Sequence, residues 1–473
     1  MGITFKEEVT MGENASQKKY LKFYQKLAYG SGDLASNCSY GLVSSFLLLY
    51  LTSVMGMNSA VIGTLMLVSK CVDGVTDVFF GNIIDRTHSK MGKARPWMLY
   101  AQIGVSGCLA LLFSVPAGMG RTAQYAYFFV FYTCLNAIFY TANGIAYSSL
   151  TALITKNPNE RVQLGSFRFM FAVVTNIVLG FAVTSAVSAF GGGANGWRMV
   201  AIVFAIIALV VNTISVLAVK ELPDEEVTVK EDGKSAEDKL SFLDTIKVLL
   251  KNKYYLMIVA IYIVYYIMSN LVTGSGVFFA TYYLGNEGIY GLLNMMKMFP
   301  VIFALIIAPF IIKKVGNMQK VNTWAYGISC VLGIPLIYAA VTKNITLFLI
   351  ILFVKGVFAG FLSGSLNAFI AEASAYTTRT TGIRMEGTMY SCSSLGVKIG
   401  GGIGTAAVGW LLAVGGFVND AAVQTAGATN MILWIYLIIP VLIGVLITYL
   451  LSRLDVEKAN QKWDEEHLSL IHI

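Results

Sequence analysis

The chain has 473 residues with a formal net charge of +8, and 56% of them are apolar against 13% charged. Soluble domains average about 25% charged residues, so this balance excludes an ordinary soluble enzyme and points to a polytopic membrane protein. The basic excess sits in short segments beside apolar runs, a distribution that fits topology determination and argues against nucleic-acid binding. The cysteines, Cys38, Cys71, Cys108, Cys134, Cys330 and Cys392, all fall in apolar runs and read as small packing residues, not as disulfides or metal ligands.

Residues 1–26 are polar, with Lys18, Lys19, Lys22 and Lys26 ahead of the first apolar run and no cleavable-signal pattern. Runs of about 20 apolar residues, each long enough for a hydrocarbon core of roughly 30 Å, recur from there onward. They predict twelve spans, the first six at 27–54, 60–84, 96–116, 124–148, 166–190 and 199–219. A polar linker at 220–253 follows, and then spans at 254–283, 290–312, 321–341, 346–373, 387–414 and 431–451. The expected architecture is all-α, with six-helix bundles at 27–219 and 254–451 and a charged tail at 452–473. The final LSLIHI, residues 468–473, is out of keeping with that tail and reads as adapter-derived sequence after a truncated terminus.

Lys and Arg gather in the amino-terminal segment, the loop 86–95, the linker and the Lys313, Lys314, Lys320 loop, whereas the segments after spans one, five, seven and eleven hold almost none. The positive-inside rule then places both termini and the linker in the cytoplasm. The stretch GNIIDRTHSKMGKARPW after span two is echoed by APFIIKKVGNMQKVNTW after span eight, which suits two related halves.

Three constellations carry candidate chemistry. In span two, Lys70, Asp73 and Asp77 fall on one helical face with Thr76 beside them. Carboxylates at membrane depth cost several kcal/mol unless they face a polar interior, so this cluster is a candidate site for Na+ or H+. A structural ion-pair network is the alternative reading, weakened because Lys70 can neutralise only one of two carboxylates. In span one, Asp33, Asn37 and Tyr40 form a polar stripe of acceptor, amide and aromatic plate, the chemistry a sugar ring requires. In span eleven, Lys398 lies in the Gly-rich GVKIGGGIG, whose Gly400, Gly401, Gly402 and Gly404 suggest close helix packing. Arg168, Lys297 and Lys355 also fall in spans, and Glu372, Arg384 and Glu386 flank the loop after span ten as candidate gating ion pairs. Asp85, Arg86 and Arg95 bound the basic loop after span two and join that gating set. No HExxH or Walker phosphate loop is present, and neither a metalloenzyme nor a nucleophilic catalyst is expected.

The run DGVTDVFFGNIIDRTHSKMGKARPW resembles the signature of the glycoside-pentoside-hexuronide:cation symporters, the melibiose-transporter-like family within the major facilitator fold. YGSGDLAS, YTANGIAYSSLTALITKNPNERVQLGSFRF and TGIRMEGTMYSCSSLGVKIGGGIG extend the likeness in family order over most of the chain. The resemblance implies a coupling-cation site at Asp73, Thr76, Asp77 and Thr141. It also implies a sugar site that includes Asp33, Tyr40, Arg168 and Lys398. Asn37, Asn143 and Tyr147 are further substrate candidates. Gly144 stands where family members usually carry Asp or Asn, with Asn143 one residue early. Either Asn143 has taken over through a local helix shift or one sugar contact is missing.

The expectation is a symporter, not an enzyme, with no cofactor beyond the coupling ion and a small sugar as substrate. It is expected to work as a monomer in a cell membrane, and a bacterial inner membrane suits it best. Rival readings are a lysolipid symporter of the same fold and a membrane sugar sensor that moves nothing.

Overall fold

Asparagine and threonine side chains start several helices by accepting from the free amides of the first turn, as Asn157, Asn252, Asn317 and Thr425 do. A computed structural model describes residues 19–222, 247, 249–381, 389, 393–394, 396–419, 421 and 423–471. Its helices are α1 (Phe23–Val54), α2 (Ser59–Asp85), α3 (Arg95–Leu112), α4 (Arg121–Ile154), α5 (Pro158–Ala189) and α6 (Gly193–Ala218). After the linker come α7 (Lys253–Tyr283), α8 (Tyr290–Val315), α9 (Met318–Val341), α10 (Ile345–Thr381) and α11 (Gly396–Val414). The last span, α12, runs through Ala426–Leu433, Trp434–Ile438 and Ile439–Arg453, and the tail forms α13 (Val456–Ile471).

Among the described residues, 11 helices are long and apolar enough to cross a membrane. The remaining expected span is α3, 18 residues long, whose apolar run is diluted by Arg95 and by the buried Gln102. The chain divides into two compact units, 1–230 and 231–473, and the division falls within the polar linker. Lys313 and Lys314 end α8 and Lys320 lies in α9, so the turn between these spans is only Gly316 and Asn317. The corresponding loop of the first unit is longer.

Each unit turns apolar side chains outward, such as Val178, Phe181, Ile206 and Ile214 in the first and Ile306, Phe310, Ile334 and Leu442 in the second. That inversion of the soluble pattern is what a hydrocarbon solvent selects. In the second unit, α11 lies against α7 along the expected glycine seam. A Cβ at Gly396 would meet Tyr262, at Gly400 the Ile263 carbonyl and at Gly404 the Ile267 carbonyl, all too close for any side chain. π-helical turns interrupt α1, α4, α7, α11 and α12. Those in α4 and α11 hold Tyr140 and Lys398, in keeping with the habit of such turns to fall at functional positions.

Candidate functional site

The first unit assembles its polar residues where α1, α2, α4 and α5 meet. Helix α1 breaks at Ser31 between Gly30 and Gly32, and both glycines are required there. A Cβ at Gly30 would strike Phe167 of α5 at 2.7 Å, and one at Gly32 would strike the Tyr147 ring of α4 at 2.8 Å. That close approach sets Asp33 against α5, where Arg168 Nε donates to Asp33 Oδ2 at 2.6 Å. The guanidinium also lies 4.0 Å over the Tyr147 ring, a cation–π contact that fixes its plane. Tyr147 is itself anchored, its hydroxyl donating to the Tyr29 carbonyl at 2.8 Å while Tyr29 donates back to the Tyr147 carbonyl at 2.7 Å.

One turn further along α1, Asn37 donates to the Asp33 carbonyl at 2.7 Å and accepts from Asn176 of α5 at 2.9 Å. Tyr40 then stacks on Tyr140 of α4, ring centroids 5.1 Å apart, with the Lys70 ammonium 5.4 Å from the Tyr40 ring. Lys70 reaches Asp73 Oδ2 at 3.4 Å. Asp73 is 7% exposed, and its other oxygen accepts from Thr141 Oγ1 at 2.5 Å. Because Thr141 follows Tyr140, the contacts close a ring: Asp73, Lys70, Tyr40, Tyr140, Thr141 and Asp73 again. The sugar-type residues and the cation-type residues therefore share side-chain contacts. Asp77 is half-buried one turn beyond Asp73, and Thr76 gives its hydroxyl to its own helix, at the Asp73 carbonyl, 3.1 Å away.

Asn143 and Arg95 take partners other than those expected of them. Asn143 does not face this cluster: its amide donates to the Met98 carbonyl at 2.9 Å and to Gln102 Oε1 at 3.2 Å, so it ties α4 to α3. One residue on a helix is a rotation of about 100°, and that rotation carries Asn143 to the α3 side while leaving Gly144 on the face of Tyr140 and Tyr147. A Cβ at Gly144 would meet nothing within 4 Å. Arg95 gives its guanidinium to the Val216 and Met91 carbonyls, with no carboxylate bonded to it among the described side chains. Arg86 is exposed in the turn after α2, and the Asp85 side chain lies outside the described ones. Glu372 takes Asn460 of α13 as its partner, at 2.7 Å, and Arg384 and Glu386 lie outside the described residues. Lys398 sits half-buried in the π turn of α11. Lys297 donates to Thr273 of α7 at 3.3 Å, and Lys355 is half-buried in α10.

Sequence reasoning missed Asn176 and Tyr140, which complete the α1 contacts. It also missed three carboxylates that hold helix ends. Glu160 accepts from the Tyr20 and Leu21 amides, from Thr155 and from Lys26. Glu221 accepts from the Lys93, Ala94 and Arg95 amides, and Glu457 from those of Met318 and Gln319. For Glu221 and Glu457 the signal in sequence was an acid shortly after the end of each half; Glu160, in the first turn of α5, had none.

Residues 28–458 match the family described as MFS/sugar transport protein. The chain is 30% identical over 438 residues to the isoprimeverose transporter of Lactiplantibacillus pentosus, covering 91% of this chain and 88% of that one. It is 26% identical over 404 residues to the glucuronide carrier protein homolog of Escherichia coli (strain K12), covering 84% and 85%. In fold it is similar to the bacterial homolog of the lysosomal transporter Spinster, at TM-score 0.68 and 14% identity over 91% of this chain and 98% of that one. It is likewise similar to the D-xylose-proton symporter, at TM-score 0.61 and 14% identity over 90% and 96%.

Proposed function

The chain belongs to the MFS/sugar transport protein family, in its glycoside-pentoside-hexuronide:cation symporter branch, and from that premise we propose that it carries a small glycoside inward together with Na+ or H+ by alternating access. It is a transporter and not an enzyme. The observation that carries the reading is the ring joining Asp73 to Tyr40, because it links a carboxylate suited to a cation with an aromatic plate suited to a sugar.

In the proposed cycle the coupling ion enters at Asp73 and Asp77, with the Thr141 hydroxyl as an additional oxygen and Thr76 beside it. Two carboxylates a helical turn apart on α2 supply oxygen ligands suited to a hard cation or a shared proton. A change in the Lys70–Asp73 pair moves the ammonium relative to Tyr40, which is how ion occupancy reaches the sugar plate. Asp33 and Arg168 supply an acceptor and a donor set for sugar hydroxyls, held in orientation by Tyr147 and by the Asn37–Asn176 pair. Lys398 is proposed to support the substrate from α11. The basic loops support a cytoplasmic placement of the linker and both termini, in a bacterial inner or plasma membrane.

Uptake of a panel of labelled glycosides into right-side-out vesicles tests the proposal. Accumulation should require an inward Na+ or proton gradient and collapse when both are dissipated. Uptake indifferent to both gradients defeats symport.

A further inference from the structure

Where α2 and α6 end and α3 begins, the first unit forms a cleft of about 450 Å³ lined by His88, Lys90, Lys93, Arg95, Lys220 and Glu221 among others. Among the described residues its wall carries four cations, Lys90, Lys93, Arg95 and Lys220, beside the one carboxylate of Glu221. The carboxylate is already engaged: Glu221 accepts from the Lys93, Ala94 and Arg95 amides at 2.7, 3.0 and 3.0 Å. Lys90 and Lys220 are exposed and have no ion pair among the described residues.

The loop that builds the cleft has a defined shape. Ser89 donates to the Gly92 carbonyl at 2.7 Å and accepts from the Met91 amide at 3.1 Å, and Gly92 takes a φ of 106°, a backbone conformation that disfavours any side chain. Trp97 Nε1 donates to Thr87 at 2.7 Å and pins the far side of the loop. In the second unit the matching turn is made by Gly316 and Asn317 alone. The extra length in the first unit is therefore not needed to connect two helices.

We propose that this cleft is a binding site for a phosphate group, supplied by the headgroup of an anionic phospholipid, with Lys90 and Lys220 as its principal contacts. The site lies at the ends of three spans, the level at which lipid headgroups stand. Ammonium groups there attract anionic headgroups by point-charge interaction. A soluble phosphate ester offers the same chemistry, and the test separates the two sources.

The full chain is reconstituted in nanodiscs of equal parts phosphatidylglycerol and phosphatidylcholine, and co-retained lipid is counted by native mass spectrometry. Wild type should retain phosphatidylglycerol selectively. At about fivefold per surface cation, K90Q/K220Q should lower that retention roughly 25-fold. K313Q/K314Q, which removes two exposed basic residues at the end of α8, is the control and should leave most of it. Equal loss in both double variants means diffuse attraction by any basic loop, and retention unchanged in K90Q/K220Q means the cleft holds no headgroup. Either result overturns the proposal. So does saturable binding of glycerol 3-phosphate to delipidated protein that phosphatidylglycerol fails to displace, since it assigns the cleft to a soluble phosphate.

Discussion

Asp33 and Asp73 each face a cation of the chain's own, Arg168 at 2.6 Å and Lys70 at 3.4 Å, and the two pairs differ in what else holds them. Arg168 is stacked on Tyr147 and fixed, whereas Lys70 has a longer contact and an aromatic face beside it. The Thr141 hydroxyl is the neutral partner of Asp73. A hydrogen bond to a charged group contributes about 1.5 to 3 kcal/mol, so Thr141→Val should weaken cation activation of uptake roughly tenfold to a hundredfold, and Thr141→Ser should restore most of it. Uptake measured against Na+ concentration and against pH reads this out, and wild-type activation in the valine variant removes Thr141 from the cation site. Two glycines make a contrasting pair. Gly144 has open space at its missing Cβ, so Gly144→Asn should fold normally and shift the order of preference in a glycoside competition series. Gly32→Ala would push a methyl into Tyr147 and within 3.0 Å of Ser215 Oγ, costing about 1 to 3 kcal/mol of stability through overpacking. A lowered unfolding midpoint in detergent, with the Asn variant unaffected, checks both. An unaltered preference in Gly144→Asn would mean that this face does not meet the substrate.

At the scale of helices, the two units repeat one device. Glu221, just past α6, caps the start of α3, and Arg95 at that start donates back to the Val216 carbonyl near the end of α6. Glu457, just past α12, caps the start of α9, and Gln319 donates back to the Leu451 and Ser452 carbonyls at the end of α12. Each carboxylate satisfies amides that a helix start leaves without partners, and its charge opposes the positive end of the helix dipole. Glu221→Gln and Glu457→Gln should therefore each cost about 1 to 2 kcal/mol locally. Hydrogen exchange should quicken at the 93–95 amides in the first variant and at 318–319 in the second, without spreading to the other unit. Unchanged exchange would show the caps to be dispensable. The sequence hinted at this repeat through the matched GNIIDRTHSKMGKARPW and APFIIKKVGNMQKVNTW but gave no sign of the reciprocal bonds. The helical spans, the polar faces that carry Asp33 and Asp73, and the glycine seam were legible because composition and three-to-four-residue spacing report which face of a helix is polar or small. Pairings between helices were not. Asn143 and Gly144 differ by one position, yet only the packing of α3 against α4 decides which of them faces the polar cluster. Tyr140, Asn176 and Glu160 went unread for the same reason, since each acquires its meaning from a partner far away in sequence.

For the molecule as a transporter, the ring from Asp73 to Tyr40 makes a thermodynamic demand. If the ion and the sugar bind through shared contacts, the factor by which Na+ or H+ tightens the sugar must equal the factor by which the sugar tightens the ion. One charge moving through about 100 mV supplies roughly 2.3 kcal/mol, about a 50-fold accumulation, and on the proposed site it is the ring that would tie that energy to the sugar. Lys70→Ala tests the link. Removing the ammonium keeps the bond from Thr141 to Asp73 and opens the connection to Tyr40, so both bindings should persist while the two coupling factors fall together toward one. Titrating the purified protein with sugar at several ion concentrations, and with ion at several sugar concentrations, gives both factors in one preparation. Exchange of labelled for unlabelled sugar should continue in this variant while accumulation against a gradient is lost. Coupling that stays at the wild-type value in both directions would place the connection between ion and sugar outside the ring, and the contacts of Lys70 with Tyr40 would then be packing alone.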